Sequence, residues 1–227
     1  ETVMSNSYIS SAKAQAGLGF ASRPIEQSVR DTVAWWRAHS ALDAYPRWHG
    51  KVALVIGATG GIGAATARKL ASKGIEVVLV GRRKDRLDEL ENEIISAGGR
   101  ATCIAADVTT EAGIEKICNT LSLRYHGVDI LVYSAGIGWY GYFSEMSWET
   151  ADQMMAVNLR GLLRLTHYVL KQMLIRKTGR IILVGSIAGE IEAQGTAVYS
   201  ATKSFVNTLV RSLSRELKGS KISASVL

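Results

Sequence analysis

Residues 54–70 read LVIGATGGIGAATARKL, and this stretch decides the fold. A short apolar run is followed directly by a glycine-rich turn and then by residues of helical composition. Gly57 permits the tight turn, Gly61 lets a phosphate group approach the backbone, and Gly63 allows the helix to pack closely on the strand. The spacing is Gly-x-x-x-Gly-x-Gly, and its place between strand and helix predicts a dinucleotide-binding βαβ unit.

Strand-like and helix-like segments alternate from Lys51 to the end of the chain. Buried-type strands are predicted at residues 51–56, 75–80, 100–108, 128–136, 179–186 and 221–227. Continuous apolar strands separated by helices are typical of a parallel sheet that is covered on both faces. With right-handed crossovers, this pattern predicts an α/β fold with a doubly wound, mostly parallel sheet and a ligand crevice beyond the carboxyl ends of its strands.

The composition narrows the functional classes. The chain has 227 residues, 47% of them hydrophobic, which suits one well-packed domain of α/β size. No apolar run approaches the ~18 residues that would indicate an integral membrane segment. The net charge of +7 is scattered, so we expect a solvated surface and an anionic cofactor, and no nucleic-acid partner. Cys103 and Cys118 lack metal-ligand spacing, as do the four histidines, which predicts buried free thiols, a cytoplasmic location and no metal site.

The region from about Lys51 to Leu227 resembles a single-domain short-chain dehydrogenase/reductase, because several motifs follow the order found in that family. After the glycine turn come AADV at 105–108, YSAG at 133–136, VNLRG at 157–161, GSIAG at 185–189 and YSATK at 199–203. Ser186 precedes Tyr199 by 13 positions (199 − 186), the usual interval in the family. The resemblance implies a Rossmann fold and an enzyme that transfers a hydride between nicotinamide and a small carbonyl or alcohol substrate.

Four catalytic residues follow from the resemblance: Asn158, Ser186, Tyr199 and Lys203. Tyr199 would exchange a proton with the substrate oxygen, which Ser186 would polarise by a hydrogen bond. Lys203 and the positive nicotinamide would lower the tyrosine pKa from its ordinary value of ~10, and the lysine would also bind the ribose hydroxyls. Asn158 would hold a water that links Lys203 to solvent. The structural alternatives are an exposed Tyr–Lys pair, a helix cap at Ser186 and a helix kink at Asn158.

The predicted cofactor-binding residues surround the glycine turn and the ends of the next strands. They are Gly57, Thr59, Gly61, Ile62, Gly63, Arg82, Arg83, Asp107, Val108, Ala135, Gly136, Tyr199 and Lys203. An acidic residue at the end of the second strand would bind the adenosine ribose 2′-hydroxyl of NAD. Gly81 holds that place here and two arginines follow it, which suits a 2′-phosphate, so NADP(H) is preferred over NAD(H).

The chain departs from the family pattern at three places. Tyr133 and Ser134 stand where two asparagines are usual, and Ile56 stands where threonine is usual. We expect altered local hydrogen bonding there, with the chemistry kept. The chain stops at Leu227 within the sixth predicted strand, so the resemblance implies that a substrate-covering loop, a helix and a last strand are missing.

Residues 1–47 break the alternating pattern, and we predict the helical tail of an upstream domain plus a linker, before a dinucleotide-binding catalytic domain at 48–227. Residues 22–39 have an amphipathic helical pattern. Residues 10–39 resemble the C-terminal tail of an extended short-chain dehydrogenase of the sugar-nucleotide epimerase type. This resemblance implies that residues 1–44 are the remnant of a first enzyme in a fusion.

Two functions remain open at this point. The first is NADP(H)-dependent oxidation or reduction of a small-molecule substrate, and the alternative is a non-catalytic NADP(H)-binding regulatory or scaffold module. The run GIGWYGYFSEM at 136–146 favours an uncharged or partly apolar substrate, with simple packing as the alternative. Assembly into a homo-oligomer is also left open.

Overall fold

The computed structural model describes Gln27, Arg30, Asp31, Trp48 and residues 50–191 and 193–227. Gln27, Arg30 and Asp31 are helical. The rest of the predicted helix at 22–39 lies outside the described residues. The chain divides into two compact units, Glu1–Arg47 and Trp48–Leu227. The interpretation of the first unit as the tail of an upstream domain stays a prediction.

The second unit is built on a six-stranded parallel sheet with the order β3-β2-β1-β4-β5-β6. The strands are β1 (Val52–Ile56), β2 (Glu76–Gly81), β3 (Arg100–Ala105), β4 (Ile130–Tyr133), β5 (Gly179–Leu183) and β6 (Ile222–Val226). Ala53 on β1 stands opposite Val77 on one side and Ile130 on the other. The doubly wound parallel sheet predicted from the apolar runs is confirmed, with β3, β4 and β5 each ending three residues earlier than predicted.

The described part of this unit contains six α-helices. They are α1 (Gly61–Ala71), α2 (Lys84–Ser96), α3 (Glu111–Arg124), α4 (Trp148–Met155), α5 (Leu162–Arg176) and α6 (Ala197–Glu216). Ala53 and Val55 pack with α1 and α2 on one face, whereas Leu54 and Ile56 pack with α3, α5 and α6 on the other. This division follows from the two-residue repeat of a strand, which turns successive side chains to opposite faces.

Two irregular segments matter for the site. A π-helical segment, Ala156–Gly161, joins α4 to α5, and a short 3₁₀ turn, Ile187–Gly189, follows β5. Segments with π-helical hydrogen bonding are rare and are often found at functional sites. Both segments lie on the side of the sheet where the strands end.

The Asp129 carboxylate joins the amino ends of β1 and β4, at the end of the sheet opposite the crevice. It accepts hydrogen bonds from the Val52 backbone N–H at 2.9 Å and from Lys51 Nζ at 3.1 Å. Arg176, at the end of α5, also donates to it at 3.2 Å. The amino ends of β1 and β4 are therefore tied together far from the crevice.

The strand order reverses between β1 and β4, and the crevice opens at this point. The chain leaves β1 through Gly57 towards α1, and it leaves β4 through Ala135 towards the other face. Such a divergence at the carboxyl ends is where doubly wound sheets bind their ligands. Among the described helices, none combines the length and apolarity needed to cross a membrane.

The two cysteines are free, and they are less enclosed than predicted. Cys103 on β3 and Cys118 on α3 are both half-buried. Burial raises the pKa of both thiols, so both remain protonated at neutral pH. Asp88 and Glu91 place oxygens within 4.8 Å of the Cys103 sulfur and of each other, but Lys84 is already ion-paired with Asp88. The prediction of no metal site stays a prediction.

Candidate active site

Two glycines of the turn after β1 are required by packing within the protein. Gly57 has a φ of +81°, and a Cβ there would lie 2.5 Å from the backbone nitrogen of Ala135. At Gly63, a Cβ would lie 2.2 Å from the Gly57 carbonyl oxygen and 2.6 Å from the Ser134 hydroxyl. Neither position has room for a side chain, because the turn is pressed between α1 and the end of β4.

Gly61 differs from these two, because a Cβ there would meet nothing within 4 Å. Packing within the described protein therefore does not demand a glycine at this position. Gly61 is the first residue of α1, and no side chain caps the start of that helix. An uncapped helix N-terminus with an open approach fits the pyrophosphate of a dinucleotide. Ile62 beside it is half-exposed.

The crevice contains most of the predicted cofactor-binding residues. Its lining includes Gly57, Thr59, Arg82, Arg83, Asp107, Val108, Ala135 and Gly136. Arg82 is exposed and has no hydrogen-bond partner among the described residues, whereas Arg83 donates to the Thr59 carbonyl at 3.0 Å. The Asp107 carboxylate accepts from the backbone and hydroxyl of Thr109 at 2.9 and 2.8 Å. The end of β2 thus presents two guanidinium groups and no carboxylate.

Lys203 is the buried charge of the site, with 6% of its surface exposed. Its Nζ donates to the Val184 carbonyl at 2.8 Å and lies 5.8 Å from the centre of the Tyr199 ring. Burial lowers the lysine pKa below its ordinary value. Both side chains leave α6 on the same side, one turn apart, as the four-residue spacing predicts. Tyr199 is half-buried.

Asn158 lies in the π-helical segment and is 2% exposed. Its amide nitrogen donates to the Ile137 carbonyl at 2.9 Å and to the Thr202 hydroxyl at 3.0 Å. Its oxygen accepts from the Ile137 N–H at 2.9 Å. Both amide hydrogens are used, so only the oxygen retains capacity for a water. Asn158 therefore ties the loop after β4 to α6, and its water-holding role stays a prediction.

Ser186 lies at the end of β5 and caps the 3₁₀ turn that follows. Its hydroxyl oxygen accepts from the Ala188 N–H at 3.1 Å. The hydroxyl hydrogen has no acceptor among the described residues, which leaves a donor for a substrate oxygen. The capping alternative and the predicted role are thus compatible. Gly138 lies against the Tyr199 ring, since a Cβ there would be 3.2 Å from its Cδ2.

The two residues that depart from the family pattern make new hydrogen bonds. The Ser134 hydroxyl donates to the Ile56 carbonyl at 2.7 Å and so ties β4 to β1 without an amide. The Tyr133 hydroxyl donates to the Val157 carbonyl at 2.8 Å, inside the π-helical segment. Gly161 leaves room for it, because a Cβ there would lie 2.9 Å from the tyrosine oxygen. Burial raises the Tyr133 pKa well above its ordinary value.

The sequence analysis did not assign Tyr133 to the site. The structure connects it, through Val157, to the backbone next to Asn158. The sequence does contain the two residues that form this contact, a tyrosine at the end of β4 and a glycine at position 161. Its meaning depends on contacts between residues more than twenty positions apart, which periodicity does not report.

Comparison with known proteins agrees with this geometry. The sequence profile of short chain dehydrogenases matches residues 51–227. A probable NADP-dependent dehydrogenase of Haemophilus influenzae is 37% identical over 175 residues, covering 76% of this chain and 68% of that protein. An uncharacterized oxidoreductase of Staphylococcus epidermidis is 35% identical over 167 residues, covering 74% of this chain and 71% of the relative.

A solved structure is also similar. A metagenomic short-chain oxidoreductase, crystallised in complex with NADP, is 36% identical and superimposes with a TM-score of 0.76, covering 79% of this chain and 81% of that chain. The fold, the glycine turn and these similarities show that the chain belongs to the short-chain dehydrogenase/reductase family. It is an NAD(P)-dependent dehydrogenase/reductase that acts on CH–OH or C=O groups.

Proposed function

We propose that the protein is an NADP(H)-dependent oxidoreductase in which Tyr199 transfers a proton to or from the oxygen of a carbonyl or alcohol substrate. The observation that carries this proposal is the placement of a half-buried tyrosine one helical turn from a buried lysine, beside the crevice. A buried ammonium favours a nearby phenolate by charge attraction. A purely structural surface pair would have no reason to bury the lysine.

The chain's own residues divide the chemistry among them. The nicotinamide, when bound, supplies or accepts the hydride. In the direction of reduction, the Ser186 hydroxyl donates a hydrogen bond to the substrate oxygen and Tyr199 donates the proton. Lys203 stabilises the phenolate that remains, and the free capacity of the Asn158 oxygen suits a water on the path that returns the proton.

NADP(H) is the proposed cofactor because of the charges at the end of β2. Arg82 is free to bind a 2′-phosphate, and Arg83 is held against the glycine turn by Thr59. Gly81 brings no carboxylate to repel the phosphate. The Haemophilus influenzae relative is a probable NADP-dependent dehydrogenase, and the metagenomic enzyme was crystallised with NADP.

We also propose a cytoplasmic location and a small-molecule substrate. A cytoplasmic location agrees with two free thiols. The substrate is a small molecule, and homo-oligomer formation is open to measurement by sedimentation.

The decisive test compares Tyr199→Phe with the wild type in NADPH oxidation, using a panel of ketones and aldehydes. Loss of a general acid lowers kcat by about 10²–10⁴-fold. NADPH affinity, measured by fluorescence titration, should change little. Tyr168→Phe is the matched control, because Tyr168 donates only to the Cys118 carbonyl on the neighbouring helix, at 3.0 Å.

Two outcomes would contradict the proposal. Activity that survives Tyr199→Phe would show that another group donates the proton. A wild-type protein that binds NADPH tightly but reduces nothing in the panel would favour the non-catalytic module.

A further inference from the structure

Exposed apolar side chains surround the catalytic end of the crevice. They come from the β4–α4 loop (residues 134–147) and the β5–α6 loop (described at residues 184–191 and 193–196). The members that are more than half exposed are Tyr140, Tyr142, Phe143, Ile187 and Ile191. Clustered exposed apolar surface commonly marks a binding site.

The two loops are fastened to each other, so the aromatic rings form a fixed wall. The Gly141 N–H donates to the Gly195 carbonyl at 2.9 Å, and Gln194 Nε2 donates to the Tyr142 hydroxyl at 3.1 Å. The Tyr140 ring covers Gly195, where a Cβ would be 2.9 Å from its Cε2. Gly195 has a φ of +82°, which suits glycine in any case. We call this arrangement of Tyr140, Tyr142 and Gly195 the aromatic wall.

The aromatic wall is linked to the proposed proton-transfer residues through its neighbours in the chain. Gly138, two residues before Tyr140, lies against the Tyr199 ring. Gly195 lies four residues before Tyr199 in the chain, at the entry to α6. On the other side, Ile187 follows Ser186 directly and is 74% exposed. A substrate whose oxygen reaches Ser186 and Tyr199 therefore has the wall beside it.

The charges of the two loops exclude an anionic partner. Residues 134–147 and 184–196 contain no lysine, arginine or histidine, and they contain three glutamates. Glu190 is ion-paired with Arg211, and the Lys203 ammonium is buried and donates to the Val184 carbonyl. The two loops themselves therefore offer a carboxylate or phosphate no cationic side chain, and their glutamates disfavour an anion by charge repulsion.

We infer that the substrate is an uncharged ketone or aldehyde that carries an aromatic ring, with the ring packed on the aromatic wall. This inference rests on the proposed function and specifies the substrate class for the same site. Two aromatic rings attract each other by stacking in addition to the burial of apolar area. The aromatic wall therefore binds a flat ring more tightly than an aliphatic chain.

The test measures kcat/KM with NADPH for four ketones that isolate ring and charge. Acetophenone and methyl 4-acetylbenzoate are neutral and aromatic, 4-acetylbenzoate adds an anion to the same ring, and acetoin lacks the ring. We expect kcat/KM for each neutral aryl ketone to exceed that for acetoin and for 4-acetylbenzoate by about tenfold or more.

Substitutions of Tyr140 test whether the aromatic wall causes the preference for aryl ketones. Tyr140→Ala should lower kcat/KM for acetophenone about five- to tenfold more than for acetoin, whereas Tyr140→Phe should keep the wild-type ratio. Leu123→Ala is the control, since Leu123 is 84% exposed near the end of α3 and belongs to neither loop. Its ratio should equal that of the wild type.

The outcomes separate this inference from the proposed function. Reduction of acetoin or 4-acetylbenzoate as efficiently as of acetophenone, or an unchanged ratio in Tyr140→Ala, would overturn the inference alone. If no ketone is reduced, calorimetric binding to the NADP⁺-loaded protein decides. Selective binding of acetophenone over 4-acetylbenzoate would then support the aromatic wall and contradict only the reaction, whereas no selectivity would overturn both.

Discussion

The two ends of the nucleotide crevice are built on opposite principles. At the end of β2, Arg82 and Arg83 are exposed side chains, and the structure leaves Arg82 without a partner among the described residues. At the catalytic end, Asn158 and Lys203 are buried and their hydrogen bonds go to backbone carbonyls and to a threonine. The arginine end is exposed surface, and the catalytic end is part of the core.

This difference separates two kinds of substitution. A change at the arginine end alters which cofactor binds, at little cost to folding, because exposed side chains contribute little to stability. A change at the catalytic end removes groups that the fold itself uses. Activity and the free energy of unfolding both have to be measured for such a variant, because the same side chains serve catalysis and stability.

The largest expected effect is on the buried end, from Asn158→Ala. The substitution leaves the N–H and carbonyl of Ile137 without their partner and removes one of the two hydrogen bonds of the Thr202 hydroxyl. A buried unsatisfied group costs about 1–3 kcal/mol. We expect the free energy of unfolding to fall by about 2–4 kcal/mol in urea denaturation followed by circular dichroism. Asn119→Ala, at an exposed position of α3, should change it by less than about 0.5 kcal/mol. Equal stability of the two variants would show that the catalytic end is not part of the core.

The next effect tests the exposed end. Arg82→Ala removes a guanidinium that can form charge-assisted hydrogen bonds to a 2′-phosphate, worth about 1.5–3 kcal/mol. The ratio of kcat/KM for NADPH to that for NADH should fall by about tenfold or more, with unfolding unchanged. Arg86→Ala, whose guanidinium pairs with Glu89 on the surface of α2, is the matched control. An unaltered ratio in Arg82→Ala would assign cofactor choice to other groups.

The smallest expected effect tests whether Tyr133 belongs to the buried catalytic end. Tyr133→Phe deletes the hydroxyl that donates to Val157, and we expect a loss of about 1 kcal/mol in unfolding free energy at pH 8. Burial raises the Tyr133 pKa in the folded state, so its stabilising contribution is complete below the unfolded value of about 10 and is lost as the pH rises beyond it. The stability difference between wild type and variant should therefore shrink from pH 8 to pH 11. A difference that stays constant would mean that the phenol is not protected from ionisation.

The sequence was sufficient for the parts of the molecule that depend on local pattern. The order of strands and helices followed from apolar runs. The glycine spacing predicted the turn, because Gly57 and Gly63 have no room for a side chain and Gly61 leaves the start of the helix open. Strand ends were less accurate. Residues 106–108, 134–136 and 184–186 were predicted as strand, although β3, β4 and β5 have already ended there.

The hydrogen bonds of the site could not be predicted from the sequence, for a physical reason. Asn158 meets Ile137 and Thr202 across 21 and 44 positions, and Tyr133 meets Val157 across 24. Such pairs are decided by packing and not by any repeat in the sequence. The half-buried state of Cys103 and Cys118 was missed likewise, because a thiol in a strand or helix gives no sign of how much its neighbours cover it.

The pairing of β1 with β4 has a consequence for how the molecule assembles. Ala53 pairs with Ile130, so the centre of the sheet joins segments that are far apart in the chain, and such long-range pairings are slow to form. During synthesis, β1 and the following two strands emerge before the partner that completes the middle. Because Gly57 closes against Ala135, the newborn chain acquires its nucleotide-binding turn only when this late docking is finished. A fragment that ends before β4 therefore lacks the surface against which the turn after β1 packs.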